Sequence, residues 1–465
     1  MCNDCKAYIR LIFCLFVGLF PVFTGYSDAM GLPNVSQSRG LKIATFDVDA
    51  TPPVGSLLTY DREINKWDLG LRAKGIVLLG AGQPIVLCSV DWIGIANDGQ
   101  DAFRQALASA AGTIPERVAI HTVHQHDAPI CDFGAEKVFK DAGFDPLCFE
   151  GSFARELIVR LSNAVTQSLS QAQSVTRVGL GEAKVSNVAS NRRILGADGL
   201  FKKSRYSSCK NAALRAEPEG LIDPMVSVVS FWNEDKPVVV LSYYAVHPQS
   251  YYRTGVANPD YAGVARFFRQ MAVPQALHIH FNGAGGNISA GKYNDGSPEN
   301  RGILAERLAD GMKRAYEATK FEPVSASDIS WSVEPLPLPL AKNLEDIQKQ
   351  MKKKDQVFLA NNMPKYVWLQ RCQSGKQLDV RCLGVGRARI LFLPGEPFVE
   401  YQLAAKAMRP DLFVAVAAYG DYAPGYICTA KAYQEGGYES GQASGVTAEA
   451  EDVVMNTLRK LLNGK

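Results

Sequence analysis

Residues 226–247 read VSVVSFWNEDKPVVVLSYYAVH. Val226 to Trp232 and Val238 to Ala245 are β-branched and aromatic runs, and Asn233 to Lys236 between them is polar turn chemistry, so the stretch predicts a β-hairpin. His247 follows the exit of its second strand. Strand exits are where α/β folds build their sites, and the remaining histidines sit in two comparable places. His121, His124 and His126 lie in IHTVHQHDAP (120–129), and His278 and His280 lie in LHIHFNGAGGN (277–287). The run before or around each group reads as a strand. On a strand, His124 and His126 would project from one face about 7 Å apart, close enough to address one ion or its water. The clustering points to a metallohydrolase.

Working outward, Ile76 to Leu79 and Pro84 to Val90 read as two strands, followed by a helix over Gly99 to Ala111. Phe153, Leu157, Leu161, Ala164 and Val165 recur at helical spacing, as do apolar residues over Tyr261 to Met271, Ile303 to Met312 and Val453 to Leu461. Arg389 to Leu393 reads as a buried strand ending in Pro394-Gly395-Glu396-Pro397, with a helix from about Phe398. These elements predict an α/β, mixed-sheet enzyme, mostly one domain over 30–465, with no evident internal repeat. Residues 323–381 read as an inserted or peripheral layer.

Composition narrows the class. The chain has 465 residues and a formal net charge of +3, with no long basic patch, so nucleic acid is not an expected partner. Lys349 to Asp355 is the one dense charge run, read as a solvated helix face. Lys6 and Arg10 precede an apolar stretch from Leu11 to Phe23, and Ser27-Asp28-Ala29 offers small residues for cleavage. Residues 1–29 are therefore expected to be a secretory signal peptide, with an uncleaved anchor as the alternative. The mature chain would be secreted or periplasmic. Its cysteines, Cys88, Cys131, Cys148, Cys209, Cys372, Cys382 and Cys428, are odd in number. Cys131 with Cys148 and Cys372 with Cys382 are the expected local bridges. No C-x-x-C pair remains for a cysteine-only zinc site.

There is no G-x-S-x-G elbow and no Walker lysine. Ala284-Gly-Gly-Asn-Ile-Ser289 can bring backbone N–H groups or the Ser289 hydroxyl to a ligand, although such a turn is common. Tyr419 to Tyr438 packs tyrosines among glycines, and phenols there could bind a metal or donate to an oxyanion. Glu396, between strand and helix, is placed like a ligand or base, or like a carboxylate favoured by the helix dipole.

Together these motifs resemble the neutral, non-lysosomal ceramidase family. Asp47 to Gly55 (DVDATPPVG) is similar to the opening D-x-T-P-P-x-G of that family, and His124-Gln-His126-Asp-Ala-Pro129 to its H-T-H-S-G-P. Ala245-Val-His247, Gly286-Asn-Ile-Ser289, Leu393-Pro-Gly-Glu396 and Ala423-Pro-Gly-Tyr426-Ile-Cys-Thr429 follow in the family's order, and so does the step from Tyr426 to Tyr438. The resemblance implies a neutral-ceramidase-type catalytic domain without the C-terminal β-sandwich domain of longer members. It implies one Zn2+ per chain on His124, His247, Glu396 and Tyr426. His126, Arg192 and Tyr438 would stabilise an oxyanion or protonate a leaving amine, and Ser289 would position or hydrogen-bond.

The implied reaction is attack of a metal-activated water on the amide of an N-acylsphingosine. A lipid amide of that kind would bring peripheral contact with a membrane. The departures are the missing proline after Ser289, Gln125 and Asp127 in the first motif, and Pro-Gln-Ser-Tyr-Tyr after His247. For that reason the zinc apparatus carries over better than the substrate, and hydrolysis of another amide or ester, such as an N-acyl sugar, is the alternative. A non-catalytic extracellular binding protein is the third reading. His121, His278 and His280 have no family counterpart and are expected to serve the structure around the site.

Overall fold

The computed structural model describes residues 40–60, 64–342 and 356–463, with Leu344, Glu345 and Lys349 between the last two. The expected signal segment and most of the lysine run lie outside the described residues. Among the described residues no helix is long and apolar enough to cross a membrane.

The same succession of elements occurs three times. First come β1 (Lys42–Asp49), β2 (Arg72–Leu79) and β3 (Ile85–Val90), then α1 (Asn97–Ala111), β4 (Val118–Thr122) and the long helix α2 (Ser152–Leu169). The second set is β5 (Arg177–Lys184), β6 (Met225–Asn233), β7 (Lys236–Tyr244), α3 (Asp260–Ala272), β8 (Leu277–Asn282) and α4 (Glu299–Glu317). The third is β9 (Ile329–Leu336), β10 (Leu378–Val385), β11 (Ala388–Phe392), α5 (Val399–Met408), β12 (Phe413–Ala417) and α6 (Ala450–Asn463). In every set three strands run antiparallel in turn, and a helix then crosses over to a fourth strand parallel to the third. Short strands Gln173–Ser174 and Lys320–Pro323 extend the outer edges of the first and second sheets. The expected hairpin is β6 and β7, antiparallel with a bulge between Phe231 and Trp232.

The strand composition follows from burial on both faces, which favours apolar runs over strict alternation. One face of each sheet turns into a shared centre containing Ile76 and Leu87 of the first, Val229 and Leu241 of the second, and Leu383 and Ile390 of the third. The other face is backed by its own helices. Val86 and Ile120 pack with Phe103, Leu157 and Leu161; Val228 and Val240 with Leu304 and Leu308; Leu391 and Val416 with Tyr401 and Leu458. A repeat therefore exists where the sequence reading found none. It is a repeat of geometry, built from strands whose side chains are generic apolar ones.

Of residues 323–381, Ile329–Leu336 and Leu378–Val385 are adjacent strands of the third sheet, and the helix Gln356–Gln373 joins the stretch between them. The two expected disulfides do not form. All seven described cysteines are free thiols. Cys131 turns its sulfur against Gly99 of α1, where an added Cβ would lie 2.9 Å from Sγ, whereas Cys148 lines a groove with Leu147 and Phe153.

Candidate metal centre

The three sets deliver their exits to one cleft. β4 ends at Thr122, so His124 and His126 lie on the following loop and not on a strand face as expected. His124 takes a left-handed φ of 70°. Its N–H donates to the Trp92 carbonyl at 2.9 Å, which ties the loop to the exit of β3. His247 follows β7 as expected, its N–H donating to the Ile288 carbonyl at 3.0 Å. Glu396 follows β11 and pairs directly with Tyr426 in a two-residue parallel bridge, so the loop after β12 carries Tyr426 to the same point. Gly286 permits this closeness. Its N–H donates to the Pro397 carbonyl at 2.9 Å, and a Cβ there would meet the Glu396 carbonyl and lie 2.8 Å from that of Pro397.

The hydrogen bonds fix which ring nitrogens are bare. His124 Nδ1 lies 2.6 Å from the Ile93 carbonyl and His247 Nδ1 lies 2.7 Å from the Gly285 carbonyl. A carbonyl only accepts, so both protons sit on Nδ1. Each Nε2 faces Oε2 of Glu396, at 3.4 Å from His124 and 3.0 Å from His247. Burial, then the neighbouring Arg192, lowers the His247 ring to about 4, so it is neutral at pH 7. Burial raises the Glu396 carboxyl, whereas positive charge on or between the two rings, His124 first, would hold it well below the usual range. Lone pairs facing a carboxylate at these distances repel unless a positive charge lies among them.

The spacing fits such a charge. Tetrahedral zinc with bonds of about 2.0–2.1 Å sets its ligand atoms about 3.3 Å apart. Glu396 meets that with either histidine, and the Tyr426 hydroxyl is 3.4 Å from His247 Nε2. His126 stands further back. It offers a nitrogen within 4.8 Å of those of His124 and His247, and neither of its ring nitrogens has a hydrogen-bond partner among the described residues. Its ring stacks on Tyr60 at 4.8 Å. Burial, then His124 and His247, lowers it well below the ordinary histidine range, so it is a neutral base.

Arg192 is a buried cation aimed across the cleft. Its Nε donates to Glu439 at 3.0 Å, its guanidinium lies over the Tyr426 and Tyr438 rings at 5.0 and 5.1 Å, and Nη1 is 3.5 Å from His247 Nε2. Nη2 has no partner. Burial pushes the Tyr426 phenol well above its usual range, with Arg192 opposing. Ser289 is brought elsewhere. Its Oγ donates to the Arg205 carbonyl at 2.7 Å, and its strand pairs with Ser190–Asn191, the residues leading into Arg192. It does not line the cleft.

Several lining residues were not singled out from sequence: Tyr60, Gln249, Tyr252, Lys365 and Tyr422. Tyr422 belongs to the tyrosine-rich stretch that was noted, and Gln249 and Tyr252 to the segment after His247 noted as a departure from the family pattern, whereas Tyr60 is isolated and carries no spacing signal. His121, His278 and His280 lie off the cleft, buried within the fold.

No protein-family model matches the chain, and no curated protein matches it. Solved structures do. The neutral ceramidase of Pseudomonas aeruginosa superposes with a TM-score of 0.67 at 16% identity, over 91% of this chain and 74% of that one. A ceramidase complexed with C2 gives 0.64 at 15% identity, over 91% and 75%. The chain has the neutral ceramidase fold. Within that fold, the residues that the sequence motifs aligned with the ceramidase pattern converge, with Ser289 set behind the Arg192 strand.

Proposed function

We propose that the chain is a zinc-dependent hydrolase of amide C–N bonds. The observation that carries this reading is the approach of two buried imidazole Nε2 atoms, at 3.4 and 3.0 Å, to one buried carboxylate oxygen. His124, His247 and Glu396 would hold the ion, with Tyr426 at the fourth corner. When bound, zinc lowers the pKa of a water towards about 7 and withdraws charge from a carbonyl.

The chain's own groups divide the remaining work. Arg192, pinned by Glu439, keeps its free Nη2 where negative charge would develop on the carbonyl oxygen, and the Tyr438 hydroxyl can donate to the same charge. His126, neutral and without a partner, is suited to accept a proton from the attacking water and return it to the leaving amine. The ceramidase fold makes a ceramide the reference substrate. Export, with 1–29 as the signal, belongs to the same proposal and is tested by the N-terminus of the mature protein.

The test is metal content together with hydrolysis of a fluorescent short-chain ceramide, before and after chelation and zinc return. About one zinc per chain with chelator-sensitive cleavage, both lost in His124→Ala, supports the reading. Zinc without ceramide turnover keeps the hydrolase and shifts the substrate to other amides. No zinc removes the mechanism.

A further inference from the structure

The cleft beside Glu396 is small for a two-chain lipid, and its lining is polar and apolar in near-equal parts. It encloses about 310 Å³, the low end of the range of about 300–1,000 Å³ for small-ligand sites. Six tyrosines enter its walls, and among the described residues its aliphatic lining is Pro364, Ala423 and Ala443. Aromatic and hydroxyl surfaces of this kind suit a compact polar molecule.

Lys365 is the second observation. It lines the cleft from the helix Gln356–Gln373 and is only 8% exposed. Its ammonium donates to the Gln442 carbonyl, and no carboxylate of the described residues forms an ion pair with it. An ammonium carries three donors, and a buried one is costly without an opposite charge. The backbone beside it is fixed, because Asn97 Nδ2 donates at 2.9 Å to the Pro364 carbonyl. Burial lowers the ammonium to about 8 while Glu396 pulls it back up, so it is charged at neutral pH. Tyr206 and Tyr438 also line a second, open groove edged by Lys202, Lys203 and Lys210, and none of these lysines pairs with a carboxylate of the described residues.

We propose that the substrate is a compact amide carrying a carboxylate near the scissile bond, and that Lys365 binds that carboxylate. This rests on the hydrolase reading above. It replaces the long-chain lipid with an acidic N-acyl compound such as an N-acylated amino acid or sugar acid.

The experiment measures binding of N-acetylglycine and of N-acetylglycinamide to the full chain, with its zinc content determined and again after chelation. Lys365→Met is run alongside, and Lys365→Arg keeps the charge. A charged hydrogen-bonded pair gives a preference of about tenfold or more for the carboxylate. That preference should vanish in Lys365→Met and persist in part in Lys365→Arg, with zinc content unchanged in both. Persistence of the preference in chelated protein sustains the carboxylate site even where the zinc reading fails. Equal affinity for the two probes, or a preference untouched by Lys365→Met because the carboxylate sits on the ion, overturns it. So does ceramide turnover that rises with acyl length.

Discussion

Glu439 carries more of the site than its place behind it suggests. It is fully buried and holds Arg192 at 3.0 Å and Arg193 at 2.9 Å. Removing one partner of a buried pair leaves an uncompensated charge, at a cost of about 3–5 kcal/mol. Glu439→Gln should therefore lower the unfolding free energy by about that amount in urea titration, and reduce turnover through a misplaced Arg192. Under the proposed zinc reading His126 is assigned to proton transfer, not to the ion. His126→Ala is expected to keep its zinc while kcat falls by about 10²–10⁴, the usual worth of a general acid–base group; loss of zinc would instead make it a ligand. Lys365 escaped the sequence reading for a physical reason. A lysine on a helix is normally solvated, and its burial here comes from the chain segments around Gln442 and Asn97, far away in sequence.

Among elements, the exit loops decide the geometry more than the strands do. The strands and helices were legible because two-sided burial writes continuous apolar runs and helical packing writes a period of 3.6. The loop after β4 was not, because Val123 continues the β-branched pattern one residue past the strand's end at Thr122 and nothing local marks the left-handed φ at His124. Tyr419 repeats that device after β12, with φ 59°, and its ring stacks on His124 at 4.4 Å. Asn97 and Asp260 likewise open α1 and α3 with φ of 51° and 48°. The glycine loop after β8 was noted as a turn that brings backbone close to a ligand. What it approaches is the Glu396 strand. Gly286→Ala should push that strand away and cost about 10²-fold in turnover, the scale of a 1 Å misplacement, with near-native circular dichroism.

For the whole molecule, the shared centre makes the three sheets interdependent. Leu241→Ala, inside that centre, should cost about 2–5 kcal/mol and lower the melting of all three sheets together in hydrogen exchange. Acid acts on the same body. Burial, then nearby cationic side chains, lowers His278 and His280 to about 3. The unfolded chain binds those protons near 6.5 and the folded chain does not, so stability falls as pH drops from 6.5 towards 3. By pH 5 each group should cost on the order of 2 kcal/mol, read as a falling urea midpoint that His280→Gln makes shallower. The threefold architecture itself was illegible, since any Val or Ile fills its positions. Only the site motifs, whose chemistry is specific, announced their order along the chain.

That order has a consequence for how the protein is made. A ribosome releases His124 from the first set, then His247 from the second, and Glu396 and Tyr426 only with the third. A nascent chain thus presents imidazoles long before it presents the carboxylate, and the first set can collapse on its own helices while the third is still being translated. If the proposed ion binds on the full set of His124, His247, Glu396 and Tyr426, its capture is coupled to folding of the third set and becomes a late event of biosynthesis.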